Sequence, residues 1–314
     1  MNLSDDAMAV VVSSTRLSNS ARPSLPPKMW HDFQRALADA GLTPEAVFKG
    51  SATLEKAGLG SGTVRRIDTL VAESAAVAIE LEHLESKGIW VSTIVDAEYP
   101  ARLRELGHRA PPTIFGVGDR SLLDGGGVGL VGSRNVSEAG AELARQIATA
   151  AARRGLSVVS GGARGVDQVA MNAAYMAGGA VVGVLADSLE KRIKNPDIRR
   201  ALDSSTTTLI TQQRPDSEFS PASAMARNKI VYSLSTITVV VASAEKGGTW
   251  TGACEALDHS IGSVAVWRGD GEGEGNQALA LRGALAFETP AELWDLVGQE
   301  PAADPAQLEI DLVG

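Results

Sequence analysis

One cysteine, Cys254, is all the thiol chemistry in this 314-residue chain. No internal disulfide can form, thiols cannot build a zinc site, and a reducing compartment is expected. Histidine is almost as scarce. His31, His83, His108 and His259 lie far apart and none makes a paired-ligand spacing, so no metal site is expected. No apolar run is long enough to span a bilayer. The short stretch Ala7 to Val12 follows Asp5 and Asp6, unlike a signal peptide. The expected location is the cytoplasm, with no membrane partner. Positive charge is also in deficit, with 29 Lys and Arg against 38 Asp and Glu and a net charge of -9. That balance excludes a protein that coats DNA through a global basic field. Any nucleic-acid contact has to be local, through a few clustered cations.

Length and composition suit an ordinary folded protein, with 44% hydrophobic and 21% charged residues and 33 glycines for tight turns. Residues 1–86 read as a small helical domain, with apolar positions Phe33, Leu37, Leu42, Val47 and Phe48 broken by Pro26, Pro27 and Pro44. Within it, Leu54 to Gly60 followed by Val64 and Ile67 has the Gly-apolar-Gly turn of a helix-hairpin-helix. Such a turn would aim N–H groups at a phosphate, but a Gly-rich link between two packing helices is the commoner use and is expected here.

Residues 87–298 read as an α/β domain of Rossmann-like type, a doubly wound and mainly parallel sheet, entered through an extended connector. The connector holds a strand near Gly88 to Ile94, then Tyr99-Pro100, Pro111-Pro112 and Ile114 to Gly116, and Gly125 to Gly127 marks the border. Strands are predicted at Val128 to Val131, Ser157 to Val159, Ala180 to Leu185, Thr207 to Thr211, Thr236 to Val241 and Ser263 to Val266. Helices are predicted to start near Ser137, Asp167, Pro196, Ala222 and Thr251, with a last one over Ala291 to Val297. Residues 299–314 read as a loose acidic tail.

In open α/β sheets, ligands sit outside the carboxyl ends of the strands. There, Gly132-Ser133-Arg134-Asn135 offers a small residue for close approach, a hydroxyl and N–H donors, and a planar cation, a pattern suited to phosphate. Gly127-x-Gly129-x-x-Gly132 also fits the dinucleotide fingerprint, but its glycines fall before and inside the strand, and the second strand ends without an acidic residue. NAD is excluded on that ground, and no cofactor is expected. The second loop, Gly162-Ala163-Arg164-Gly165-Val166-Asp167, aims Arg164 at an anion and offers Asp167 as a helix cap or, as the functional alternative, as a group that orients Arg164 or a ligand hydroxyl. A third stretch holds Arg227, Asn228 and Lys229; a fourth holds Lys246, Gly248 and Thr249, with Trp250 expected to cover the sheet. The run Lys191 to Lys194 reads as a solvated loop.

These loops, in this order, resemble the DNA-processing A (DprA/Smf) family. Gly132-Ser133-Arg134, Gly162 to Asp167, Arg227-Asn228-Lys229-Ile230 with Leu234-Ser235, and the connector with Tyr99-Pro100 and Phe115-Gly116 carry the likeness. Lys229 stands where the family has arginine, Pro221 is displaced by a longer spacer, and no winged-helix pattern follows Val297, so the chain is identified as a divergent member. The resemblance implies a homodimer that binds single-stranded DNA, assists loading of a RecA-type recombinase, and carries no catalytic residue. It makes Ser133, Arg134, Arg164, Arg227, Asn228 and Lys229 the DNA-pocket candidates. The competing expectation is a nucleotide-binding sensor or a phosphoribohydrolase-like enzyme acting on nucleoside monophosphates, with Glu255 downstream of Gly247-Gly248 as its catalyst.

Overall fold

The computed structural model describes residues 3–18 and 24–298; the tail at 299–314 lies outside them. The chain opens with helices α1 (Asp5–Ser14), α2 (Pro27–Asp39), α3 (Ser51–Lys56), α4 (Ser61–Val71) and α5 (Ser74–Ser86). The prolines that interrupt the apolar pattern start elements here: Pro27 is the first residue of α2, and Pro44 opens a 3-10 turn. Phe48, placed with the apolar face by spacing, is 40% exposed instead. The Gly-rich turn at Gly58 joins α3 to α4, and Leu54, Val64 and Ile67 bury into one cluster, as expected of two packing helices.

Among the described residues nine strands follow in one sheet: β1 (Trp90–Thr93), β2 (Thr113–Gly118), β3 (Gly127–Val131), β4 (Ser157–Ser160), β5 (Val181–Val184), β6 (Thr207–Thr211), β7 (Ile237–Val240), β8 (Ser263–Trp267) and β9 (Leu285–Phe287). Their order is β1-β2-β6-β5-β4-β3-β7-β8-β9. From β6 through β9 every pairing is parallel. The connector does more than dock. Its residues form β1 and β2, which extend the sheet antiparallel, with β2 bonded to β6 along Phe115 to Gly118. Pro111 and Pro112 stand just before β2, where the ladder needs no N–H from them.

The remaining helices are α6 (Ala101–Arg104), α7 (Glu138–Arg153), α8 (Val166–Met176), α9 (Leu189–Arg192), α10 (Pro196–Asp203), α11 (Pro221–Leu234), α12 (Gly248–Asp258), α13 (Glu274–Leu281) and α14 (Pro290–Gly298). Ser137 caps α7, its Oγ accepting from Gly140 N at 3.1 Å. Leu143, Ala144, Ile147, Ala148 and Ala151 then give α7 a buried stripe that lies with α8 over one face of the sheet. Ile230 and Val231 of α11 and Ala253 and Ala256 of α12 pack on the other face. Two faces covered by helices explain why the parallel strands read as unbroken β-branched runs.

The middle of helix α1, Ala7 to Val12, is apolar on every side because all of it but Met8 is buried. Val11 and Val12 join Phe115, Leu185 and Leu209 of the sheet region, while Ala9 and Val10 face Trp30, Phe33 and Leu37.

Candidate functional site

Strand β3 is the first of the parallel set. The chain builds β4, β5 and β6 on one side of it and crosses back to lay β7 on the other. A ligand crevice is expected outside the carboxyl ends of β3 and β7, where the winding reverses. The loops leaving these two strands are tied together, Ser133 N donating to Ala242 O at 2.9 Å and Val241 N to Val131 O at 3.0 Å. Between them and α11 lies a cavity of about 300 Å³, whose lining includes Ser133, Arg134, Asp167, Arg227, Lys246 and Thr249.

The floor of this cavity is a buried ion pair. Arg227 on α11 is 8% exposed and Asp167 on α8 is 5% exposed. Arg227 Nη1 donates to Val184 O at 3.0 Å and stands 3.9 Å from Asp167 Oδ2. The guanidinium lies across Gly161, where a Cβ would fall 1.4 Å from Nη1, so only glycine fits under it. Burial pushes the Asp167 carboxyl up to about 6, against the pull of Arg227 and of the N–H of Ala163. Burial likewise works against the charge on Arg227, while Asp167 supports it. The cap expected of Asp167 falls instead to Gly165, at φ 91°, and Asp167 positions Arg227 rather than Arg164. Any side chain at Gly165 would strike Ser133 O, 2.3 Å from the Cβ position. Beside the pair, Tyr232 is fully buried and its hydroxyl has no hydrogen-bond partner.

The rim is cationic and open. Arg134 is exposed, its guanidinium 5.5 Å from the ring centroid of Phe219, itself 49% exposed. Lys246 is exposed on the opposite loop, and Gly248 and Thr249 line the cavity from the first turn of α12. That helix starts at Gly248, earlier than Thr251, through the turn at Gly247, and no side chain caps it. Uncapped first-turn N–H groups and a helix N-terminus favour an anion there. Asn228 Nδ2 donates to Gly248 O at 2.9 Å and so ties α11 to that turn. Ser133 has less to offer than its sequence context implies, since its N–H serves Ala242 and its Oγ accepts from Asn135 N at 3.1 Å.

Gly132, Ser133, Arg134, Arg227, Asn228, Lys246, Gly248 and Thr249 are thus brought together. Gly162, Arg164 and Lys229 stand outside the cavity lining. Arg164 is exposed and donates to Asn135 Oδ1 at 2.9 Å, clamping the first two loops from outside. Lys229 Nζ pairs with Glu255 Oε1 at 3.3 Å, so the carboxylate considered as a catalyst is engaged away from the cavity. Trp250 packs against the core, and Lys191 and Arg192 pair with Glu218 and Asp187. The fingerprint glycines are structural. A Cβ at Gly127 would meet Ser157 O at 2.4 Å, and one at Gly129 would meet Ser235 Oγ at 2.6 Å. Among the described residues no group of acidic, histidine or cysteine side chains could hold a metal ion. Nor is any described helix long and apolar enough to cross a membrane.

The model of the family DNA recombination-mediator protein A matches residues 90–298. The chain is 25% identical over 274 residues to DNA processing protein DprA of Bacillus subtilis, covering 83% of this chain and 85% of that one. It is 28% identical over 242 residues to Protein Smf of Synechocystis, covering 74% of this chain and 60% of the relative. The X-ray structure of DNA processing protein A from Streptococcus pneumoniae superposes with a TM-score of 0.69 at 20% identity, over 96% of this chain and all 100% of that one. The protein of the same name from Helicobacter pylori, whose single-stranded DNA binding mode has been described, gives a TM-score of 0.56 at 23% identity, over 66% of this chain and 95% of that one. At these identities the two structures establish the likeness of fold.

Proposed function

The chain belongs to the DNA recombination-mediator protein A family, and we propose that it binds single-stranded DNA in the cavity at the carboxyl ends of β3 and β7. In this role it serves DNA processing, uptake and recombination in the cytoplasm as a homodimer, handing the strand to a RecA-type recombinase without catalysing a reaction. The observation that carries the proposal is convergence. Arg134, Lys246 and the uncapped first turn of α12 reach the rim of one cavity from two loops joined at Ser133 and Ala242. Two exposed cations and a helix N-terminus suit a polyanion whose phosphates need charge but no base-specific geometry. Glu255 pairs with Lys229 outside the lining of this cavity, which favours the binding reading over nucleotide hydrolysis.

Fluorescence anisotropy with a labelled single strand at low salt tests this. Arg134→Ala and Lys246→Ala are each expected to weaken binding about tenfold, the effect of losing one charge-assisted contact of about 1.5 kcal/mol. Wild-type protein that binds no single strand at low salt overturns the proposal.

A further inference from the structure

Helices α7 and α8 lie together on one face of the sheet, and their outward sides form a groove of about 680 Å³. Arg145, Thr149 and Arg153 line it at every fourth residue of α7, and Val169, Ala173 and Met176 line it at one-turn spacing along α8. The α8 wall is therefore apolar, and Met176 on it is 82% exposed. The α7 wall is cationic. Arg145 already pairs with Glu142 at 3.2 Å, while Arg153 is exposed and has no hydrogen bond or ion pair among the described residues. An apolar strip with a charged border is the kind of surface that a second segment covers.

The described chain ends beside this groove. Arg154, next in sequence to Arg153, holds its guanidinium 4.2 Å from the Trp294 ring centroid, so α14 lies against that end of α7. Gly298, the last residue of α14, is one turn past Trp294, about 6 Å along the helix. Residues 299–314 carry Glu300, Asp304, Glu309 and Asp311 and no Lys, Arg or His, and Leu308, Ile310 and Leu312 alternate with Glu309 and Asp311. We propose that residues 308–313 seat in the groove of their own chain, Leu308, Ile310 and Leu312 against the α8 wall and Glu309 and Asp311 against the arginines of α7. Alternation sorts the two sets onto opposite sides of an extended segment, which is what one apolar and one cationic wall require. Length allows it. Arg145 and Arg153 are about 12 Å apart along α7, room for about four extended residues, and the segment from 299 to 307 reaches about 30 Å when stretched.

Hydrogen exchange followed by mass spectrometry on the full chain tests this. Amides of residues 308–313 are expected to exchange about tenfold more slowly than in a free peptide of the same sequence, the value for a segment docked about nine-tenths of the time. Arg153→Glu and Met176→Glu, both at exposed positions, are each expected to abolish that protection, with a thermal melt confirming that each variant folds. Adding Glu309→Arg and Asp311→Arg to Arg153→Glu is expected to restore part of it, which a loss of folding would not permit. Exchange of the wild-type segment at the free-peptide rate overturns the proposal and needs no variant. Protection that survives both Arg153→Glu and Met176→Glu also overturns it, because the segment then sits elsewhere. So does protection that falls on dilution, since the groove would then hold the segment of a second copy.

Discussion

Asp167 couples the site to pH. Its carboxyl is raised from 3.8 to about 6 mainly by burial, so the folded protein holds this proton more tightly than the unfolded chain does. The stability this contributes is complete below pH 4 and is lost as pH rises through 6. Two pKa units correspond to about 3 kcal/mol. Denaturant melts of Asp167→Asn against wild type are expected to show the variant gaining on wild type by up to about that amount between pH 4 and pH 7. A difference independent of pH would mean that the carboxyl is not held above its ordinary range. Gly161→Ala makes a complementary probe, because its Cβ would overlap the Arg227 guanidinium. It is expected to destabilise by about 2 kcal/mol through forced repacking and to weaken strand binding, in the same melts and titrations. At this scale the sequence spoke clearly of Arg134 and Arg227 as residue types in strand-end loops, and less clearly of their surroundings. Arg227 lies three and four residues before Ile230 and Val231 and seven before Leu234, on the buried stripe of α11. That phase was visible, but a cation on an apolar stripe reads equally as an error in phase until its carboxylate is known. Asp167 is 60 positions away in the chain, and nothing local announces the pair.

Among the elements, the six parallel strands from β3 to β8 were legible because burial on both faces demands continuous β-branched runs. Strands β2 and β9 were not. β2 is Thr-Ile-Phe-Gly-Val-Gly, and its glycines argue against a strand until the close contacts are seen. A Cβ at Gly116 would fall 2.3 Å from the Trp90 ring and 2.9 Å from Leu209 O, so the glycine admits the indole that crosses it. Trp90 Nε1 in turn donates to Gly118 O at 3.0 Å, binding β1 to the far end of β2. Gly116→Ala should therefore destabilise by about 2 kcal/mol, and Trp90→Ala should remove part of that penalty. In a double-mutant cycle followed by urea melts, a coupling of about 1 kcal/mol is expected for residues in direct contact. Additive effects would place the cost in the backbone near Leu209 instead. β9 is three residues long with Leu285 and Ala286 exposed, too short for any alternation to register.

At the scale of the whole molecule, two features act together. Helix α1 bridges the N-terminal helices and the sheet, and Phe115 is fully buried where they meet. Phe115→Ala is expected to cost about 3–5 kcal/mol. Native-state hydrogen exchange should then lose protection in α5 and in β6 together, since the cluster around Phe115 holds Val77, Leu81 and Leu84 of the one and Leu209 of the other. The second feature is charge. With a net charge of -9, the protein as a whole repels a nucleic acid, and the proposed attraction comes from the rim of one cavity. The exposed cations that line it are Arg134 and Lys246. If they neutralise about two phosphates, the logarithm of the single-strand affinity should fall with the logarithm of salt concentration with a slope near -1.4, from about -0.7 per phosphate. A shallow slope is what separates a pocket on an acidic protein from a basic track. Titrations across a salt series decide between them, because a slope several times steeper would require a row of phosphate contacts that the cavity alone does not supply.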